Sequence, residues 1–244
     1  MKNIIFTCLV VFSLSACQVG QLTTLYNDTT SIEENDLRVD AYHRPITGIY
    51  QKHSKKMQLE EEAHYVNGKL DGIYKAFNKK GHLILMARYH KGVPDGKTIS
   101  YYNNGQENDV LNYADGKLEG GQIGYYKNGD LRQKGSYKHG LKHGVFEEYY
   151  PNGSVKSSMT YRKNKLHGTA RMFTVDNHLI NYTEYVNGKR EGPANSYFKN
   201  NKPKTLAFRH NDKLHGQFKE FNEKGDLIGL STYKNGEEIK RMKF

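Results

Sequence analysis

Hydrophobic and polar side chains alternate with a period of two along much of the chain. In the segments Leu83–Tyr89 and Val155–Tyr161, every second residue is apolar, aromatic or small. This pattern is typical of a β-strand that buries one face. Polar segments rich in glycine and asparagine separate the alternating segments, and no helical period appears between them. The pattern therefore predicts antiparallel hairpins and excludes parallel α/β folds, which need long crossover connections.

Glycines recur every 24 residues in three columns. The first column is Gly48, Gly72, Gly96, Gly120, Gly144, Gly168, Gly192 and Gly216. The second is Gly68, Gly92, Gly116, Gly140, Asn164, Gly188, Asp212 and Gly236, and the third is Gly81, Gly105, Gly129, Gly153, Asn177, Asn201 and Gly225. Every substitute is Asn or Asp, which tolerate a positive φ better than other non-glycine residues. The columns therefore predict turns with left-handed backbone.

Each 24-residue unit is predicted to be one β-hairpin. The pairs Asn104-Gly105, Asn128-Gly129 and Asn152-Gly153 indicate tight two-residue turns. We expect a strand of about six residues, this tight turn, a strand of about eight and then a longer glycine turn. The predicted fold class is all-β: an elongated antiparallel β-meander or solenoid of about eight such units over residues 45–244, with roughly sixteen strands and no helical domain apart from an N-terminal signal segment.

The repeat unit resembles a known family. The segments Tyr65–Tyr74 and Tyr137–Gly144, with the aromatic residues and glycine turns that follow each, are similar to the MORN-variant repeat. The resemblance covers about residues 45–244. It implies a hairpin solenoid that serves as a scaffold or binding surface. Many bacterial proteins with similar repeats are classed as antitoxin or immunity-type proteins, so the resemblance also implies a role of that kind.

Composition narrows the class of function. Only 36% of the 244 residues are hydrophobic and there is no Trp, yet the chain has 19 Tyr, 10 Phe and 24 Gly. Such a chain favours thin, turn-rich β-structure over an enzyme with a large buried pocket. The formal net charge of +11 permits an anionic partner without identifying one.

The N-terminus is predicted to be a targeting signal. Lys2 precedes a short apolar run that ends in Leu14-Ser15-Ala16-Cys17. The run is too short to span a bilayer as a helix and has the layout of a secretory signal. Leu14–Cys17 also resembles the lipobox of bacterial lipoproteins. That resemblance implies removal of residues 1–16 and acylation of Cys17. Because Gln18 is not the Asp that commonly retains such proteins in the inner membrane, we expect an outer-membrane lipoprotein that faces the periplasm or the cell surface.

Residues 17–44 are predicted to join the lipidated cysteine to the repeats. The segment is polar and acidic, and it serves either as a flexible spacer or as a weakly ordered cap on the first repeat. Cys8 would leave with the signal, so the mature chain would retain Cys17 alone and form no internal disulfide.

Candidate binding residues come from the paired tyrosines. In Tyr101-Tyr102, Tyr125-Tyr126 and Tyr149-Tyr150, neighbouring rings are expected to lie on opposite faces of the sheet. One set should pack across strands. The other set, Tyr102, Tyr126 and Tyr150, either packs as well or forms an exposed aromatic stripe that binds a partner or stacks on sugars. A column of lysines (Lys69, Lys117, Lys165, Lys189 and Lys213) either forms a positive edge for an anionic partner or protects the turns against aggregation.

Catalytic chemistry is not indicated by the sequence. The residue before each first-column glycine from Gly72 to Gly216 is Asp, Glu or His, but equivalent positions lie about 9.5 Å apart, too far to share a metal ion. No serine or cysteine nucleophile motif is present. We therefore expect no enzyme activity, no metal and no cofactor.

The expected function is binding to a macromolecule. The leading hypothesis is an immunity or antitoxin protein that neutralises a cognate toxin. The alternative is a structural adaptor that binds peptidoglycan or envelope proteins. Nucleic acid is not an expected partner of an exported protein, and the sequence does not fix the oligomeric state.

Overall fold

A computed structural model describes residues 24–28 and 30–244, and within them it contains β-strands, turns and no helix. The signal segment and Cys17 lie outside the described residues. The strands, β1 to β24 in chain order, are Leu25–Asn27, Ser31–Glu34, Leu37–Asp40, Gly48–His53, Leu59–Val66, Lys69–Phe77, Leu83–His90, Val93–Tyr101, Glu107–Ala114, Lys117–Leu118, Gly120–Tyr125, Leu131–Lys138, Leu141–Lys142, Gly144–Tyr149, Val155–Arg162, Lys165–Phe173, Leu179–Val186, Lys189–Tyr197, Pro203–Leu206, Phe208–His210, Lys213–Leu214, Gly216–Phe221, Leu227–Lys234 and Glu237–Lys243.

One 22-stranded sheet runs through the repeats. From β4 to β24, each leg of the hairpins pairs antiparallel with the next leg in the chain, as a meander requires. Four hairpin legs are each split into two strands, so the 21 strands from β4 to β24 form seventeen legs (21 − 4). The all-β antiparallel prediction is confirmed, and the leg count is close to the sixteen expected strands. Strands contact only their near neighbours in the chain, so the array is quasi-one-dimensional.

Positive φ occurs at every position of the three glycine columns, including the Asn and Asp substitutes. The prediction of left-handed backbone is therefore confirmed. The two kinds of turn, however, are exchanged relative to the prediction. The second column lies in the tight two-residue turn, where both central residues have positive φ, as in Asn67 (φ 49°) and Gly68 (φ 75°). Val66 and Lys69 pair directly across that turn, which identifies it as a type I′ hairpin.

The Asn-Gly pairs of the third column form the longer turn. The Tyr102 N–H donates to the Gln106 carbonyl, and the Gly105 N–H donates to the Tyr102 carbonyl. Only Gly105 of this loop has positive φ, so it is a three-residue loop that ends in a left-handed glycine. The first column marks bulges within strands rather than turns. For example, three residues centred on Gly72 oppose His64 between the paired residues Ala63–Tyr74 and Tyr65–Leu70.

Backbone hydrogen bonds join the tight turns of successive repeats. Each second-column residue donates its N–H to the carbonyl of the residue 22 positions earlier, with N···O distances of 2.7–3.0 Å in all eight turns. Gly68 donates to Ile46 at the start of this series, and Gly236 donates to Leu214 at its end. A positive φ at this column thus aligns each turn with the previous one.

The N-terminal end of the sheet carries a cap. Strand β1 pairs in parallel with β4, and the hairpin β2–β3, which we call the cap hairpin, contacts the first tight turn. There the Arg38 N–H donates to the Gly68 carbonyl at 2.8 Å. Residues 24–28 and 30–44 thus pack against the first repeat.

Burial is concentrated at this end. The buried hydrophobic residues of the described chain all lie between Val39 and Val110, and the main cluster is Ile46, Tyr50 and Ala63. Beyond residue 110 the strands contact only near neighbours, so the sheet is a single layer there, and most of its side chains are half-buried or exposed.

Candidate interaction surface

One face of the sheet carries a row of aromatic rings. Residues directly opposite each other on neighbouring strands share a face, as do residues two apart on one strand. Seven tyrosines that occupy equivalent positions in the 24-residue repeats therefore lie on a single face, which we call the tyrosine face; they are Tyr65, Tyr89, Tyr113, Tyr137, Tyr161, Tyr185 and Tyr233. All seven tyrosines are half-buried, and none is fully buried.

Edge-to-face contacts connect rings along this face. Phe146 lies between two of the tyrosines, with ring centroids 5.5 Å from Tyr137 and 5.2 Å from Tyr161. Similar pairs join Tyr74 to Tyr89 at 6.0 Å and Phe218 to Tyr233 at 6.1 Å. Such pairs add about 0.5–1.5 kcal/mol beyond the burial of area. The paired rings are therefore held in fixed positions, and the tyrosines remain partly exposed to solvent.

A cavity of about 120 Å³ opens on the tyrosine face around Phe146. Its walls include Gln122, Gln133, Ser157, Met159 and the rings of Tyr137 and Tyr161. The Lys142 Nζ lies 4.9 Å from the centroid of Phe146 and 5.0 Å from that of Tyr161. At these distances the ammonium group interacts with both rings. The wall also includes two carboxylates, and both form ion pairs: Glu147 with Lys134 at 2.9 Å and Glu148 with Lys156 at 3.4 Å. Lys142 is therefore the cation of the wall that has no carboxylate partner among the described residues.

The three tyrosines predicted to form an aromatic stripe make hydrogen bonds that the sequence did not indicate. Tyr102, Tyr126 and Tyr150 are half-buried at the start of three successive loops. Each hydroxyl donates to a backbone carbonyl of the next repeat, at 2.9 Å, 2.6 Å and 3.0 Å; the acceptors are Tyr125, Tyr149 and Phe173. These tyrosines therefore join neighbouring repeats. Binding of a partner through them stays a prediction.

Removing one of these hydroxyl groups should cost stability without altering the loop. We expect Tyr126→Phe to lower the free energy of unfolding by about 1 kcal/mol, because the Tyr149 carbonyl loses its side-chain donor while the ring remains. Chemical denaturation compares the variant with the wild type. Tyr42→Phe is the matched control, since Tyr42 is 77% exposed and its substitution should be neutral. An equal effect of the two variants would contradict the structural role of the Tyr126 hydroxyl.

Asparagines of the longer loops also join repeats. The Asn104 amide donates to the Lys127 carbonyl at 2.9 Å, and the Asn152 amide donates to the Val175 carbonyl at 3.1 Å. The asparagine in these Asn-Gly pairs is therefore explained by a bond to the next repeat, not by a two-residue turn.

The acidic or histidine column has a similar role. The Glu119 carboxylate accepts the backbone N–H of His139 at 2.6 Å, and the Glu191 carboxylate accepts that of Asn211 at 2.8 Å. The second interaction, with a further hydrogen bond from His210, lowers the pKa of Glu191. Asp71 and His167 make longer contacts of the same kind. At these four positions the column thus caps the next tight turn. No group of three His, Cys, Asp or Glu suited to a metal ion occurs in residues 24–28 and 30–244.

A second cavity, of about 690 Å³, lies between the cap hairpin and the first repeats. The Arg38 guanidinium lies 4.0 Å from the centroid of the Tyr50 ring, and Glu61 lies nearby. Burial raises the pKa of Glu61, and the charges of Arg38 and Lys52 oppose that shift. The cavity wall carries acidic and basic side chains in equal number, so its charge favours neither an anion nor a cation.

The lysine column lies along the edge formed by the tight turns. Lys69, Lys117, Lys165 and Lys213 each lie beside the second-column glycine of the next repeat. No helix in the described part of the chain is long and apolar enough to cross a membrane.

Comparison with known families identifies the repeat type. Residues 118–139, 142–163 and 214–235 match the MORN repeat variant. The matches begin 24 and then 72 residues apart, which are one and three repeat lengths, so they are in phase with the glycine columns. These three segments of the chain are therefore MORN-variant repeats. No curated protein matches the sequence.

Proposed function

We propose that this protein is a non-catalytic binding protein whose repeat sheet holds a macromolecular partner. The observation that carries the proposal is the tyrosine face, on which fixed aromatic rings remain accessible in a single-layer sheet. Tyrosine combines a large apolar area with a polar hydroxyl, and it is enriched at protein interfaces. The MORN-variant repeats support the same coarse function, since the resemblance implies a scaffold or binding surface.

The more specific proposal is an immunity or antitoxin protein that binds a cognate toxin at the cell envelope. It rests on the resemblance of the repeats to antitoxin-type proteins and on the lipobox-like segment Leu14–Cys17. Under this proposal a lipid on Cys17 anchors the chain to the outer membrane, facing the periplasm or the cell surface. The tyrosine face then covers the toxin.

Toxicity rescue tests this proposal. Each product of a neighbouring gene is expressed in the envelope with or without the full chain, and growth is measured. We expect one product to be toxic alone and harmless with the wild-type chain. The variant Tyr113→Ala/Tyr185→Ala should lose rescue, because it removes two rings from the tyrosine face that make no ring pair within the described chain.

The matched control removes two rings from the other face. Residues Tyr101 and Tyr197 lie on that face, so Tyr101→Ala/Tyr197→Ala should retain rescue. Circular dichroism confirms that both variants keep the sheet. Absence of any rescued product, together with binding to cell-wall fragments, would replace the immunity proposal with the adaptor alternative. Equal rescue by both double variants would contradict a role for the tyrosine face.

A further inference from the structure

Two adjacent tight turns differ from the other six in charge. The segments 138–143 and 162–167, which we call the basic turns, contain no Asp or Glu. They hold five cations and three histidines: Lys138, Lys142, Arg162, Lys163, Lys165, His139, His143 and His167. Each of the six equivalent segments in the other repeats contains at least one acidic residue. The basic turns therefore concentrate positive charge at one place on the edge of the sheet.

The charge of the basic turns is not neutralised within the protein. None of the five cations has an ion pair with a carboxylate of residues 24–28 or 30–244, and the nearby Glu119 is bonded to His139. Arg162 and Lys165 are direct cross-strand partners, and both are exposed. Like charges placed opposite each other destabilise a hairpin. This cost to the folded state is offset when an anionic partner is bound.

The cavity beside Phe146 adjoins the same turns. Tyr137 and Tyr161, which form its walls, immediately precede the two basic turns, and Lys142 extends from one basic turn over the rings. A cavity of about 150 Å³ accommodates a benzene molecule, so one of about 120 Å³ is large enough for a single aliphatic side chain or part of a ring. The positive charge of the basic turns and the size of the adjoining cavity together favour a ligand that has both acidic and apolar groups.

We infer that the basic turns and the cavity form a docking site for an extended acidic segment of the partner protein. Successive turns lie about 9.5 Å apart, the distance of two strand spacings. A segment in the extended polyproline II conformation rises about 3.1 Å per residue with three residues per turn, so its side chains at positions i and i+3 lie on the same side at about this distance. Acidic side chains at positions i and i+3 of the segment would each meet one basic turn. One apolar side chain of the segment would enter the cavity beside Phe146.

A protein segment fits this surface better than a bilayer or a nucleic acid. Leu141 is the one large hydrophobic side chain of the basic turns that is exposed, at 37%, which offers little to insert into lipid. The charged region extends over two turns only, whereas nucleic-acid surfaces follow a backbone over a longer distance. The inference rests on the proposed function, because it names the chemistry of the partner.

The test uses the full chain in a neutral detergent and a fluorescein-labelled peptide, Glu-Asp-Leu-Glu-Asp-Leu-Glu. Fluorescence anisotropy should detect binding that weakens with salt. The triple variant Lys138→Glu/Arg162→Glu/Lys165→Glu should weaken it by about tenfold or more. The control Lys55→Glu/Lys56→Glu/Lys79→Glu makes the same change in net charge on the opposite edge, where these lysines are exposed, and should retain peptide affinity.

A second readout separates docking from a structural role. Arg162→Glu places opposite charges across the turn, so the melting temperature should rise by about 1–3 °C while the peptide binds more weakly. No detectable peptide binding, equal loss in both triple variants, or tighter binding to phosphatidylglycerol vesicles or a single-stranded oligonucleotide would overturn the inference. Toxicity rescue that survives the basic-turn variant would overturn it too, and would leave the proposed function standing. Absence of any rescued toxin would instead count against the proposed function.

Discussion

Tyr50→Ala should unfold the N-terminal end of the array and leave the other repeats folded. Tyr50 is 1% exposed, its hydroxyl donates to the Asp28 carboxylate, and its ring contacts Tyr65 edge-to-face at 6.1 Å. The Arg38 guanidinium of the cap hairpin covers the same ring. Truncating a buried aromatic side chain to alanine costs about 3–5 kcal/mol. Because Tyr50 joins β1, the cap hairpin and the first repeat, the cap should detach.

Hydrogen exchange followed by mass spectrometry measures where protection is lost. In a quasi-one-dimensional array each repeat is stabilised mainly by its neighbours, so amides in residues 30–66 should lose protection while those in residues 131–234 retain it. Tyr50→Phe is the control: it keeps the ring and removes the hydroxyl, and it should cost about 1 kcal/mol. Uniform loss of protection along the whole chain would show that the array unfolds as one unit.

The repeat architecture was predictable because it depends on local backbone chemistry. Positions that need a positive φ accept Gly, Asn or Asp, and this restriction makes the 24-residue period visible in one sequence. The tight turns were less visible. In three of them the first central residue is Lys91, His139 or Lys163, which gives no turn signal although each has a positive φ. Asn-Gly pairs occur in both kinds of turn, for example Asn67-Gly68 in a tight turn and Asn104-Gly105 in a longer one, so the pair alone does not locate the tight turn.

The contacts between repeats could not be predicted from the sequence alone. A bond from the Tyr126 hydroxyl to the Tyr149 carbonyl depends on how the sheet twists, which no periodic pattern specifies. The same holds for the cap, since Arg38 reaches Tyr50 across separate elements. The sequence pattern does not distinguish Tyr50, because the equivalent positions in later repeats are not uniformly aromatic; they include Thr98 and Ala170.

Gly135→Ala should disrupt the centre of the tyrosine face. A Cβ atom at this position would lie 2.3 Å from the Phe146 Cδ1 atom, so the ring must move. Gly135 has no positive φ, so its role is to leave space for the ring rather than to form a turn. Displacing Phe146 would break its contacts with Tyr137 and Tyr161. We expect a loss of about 1–3 kcal/mol, as for other overpacked sites.

The matched control lies in the same hairpin. Gly121 has ordinary backbone angles, and an added Cβ would meet no atom within 4 Å. Gly121→Ala should therefore be neutral or slightly stabilising, because alanine restricts the unfolded chain. Thermal and chemical unfolding compare the two variants, and the double variant Gly135→Ala/Phe146→Ala tests the cause. Since Phe146→Ala removes the clashing ring, the double variant should lose less stability than the sum of the two single variants. Additive losses, or a Gly135→Ala variant as stable as Gly121→Ala, would show that Gly135 does not hold the ring of Phe146 in place.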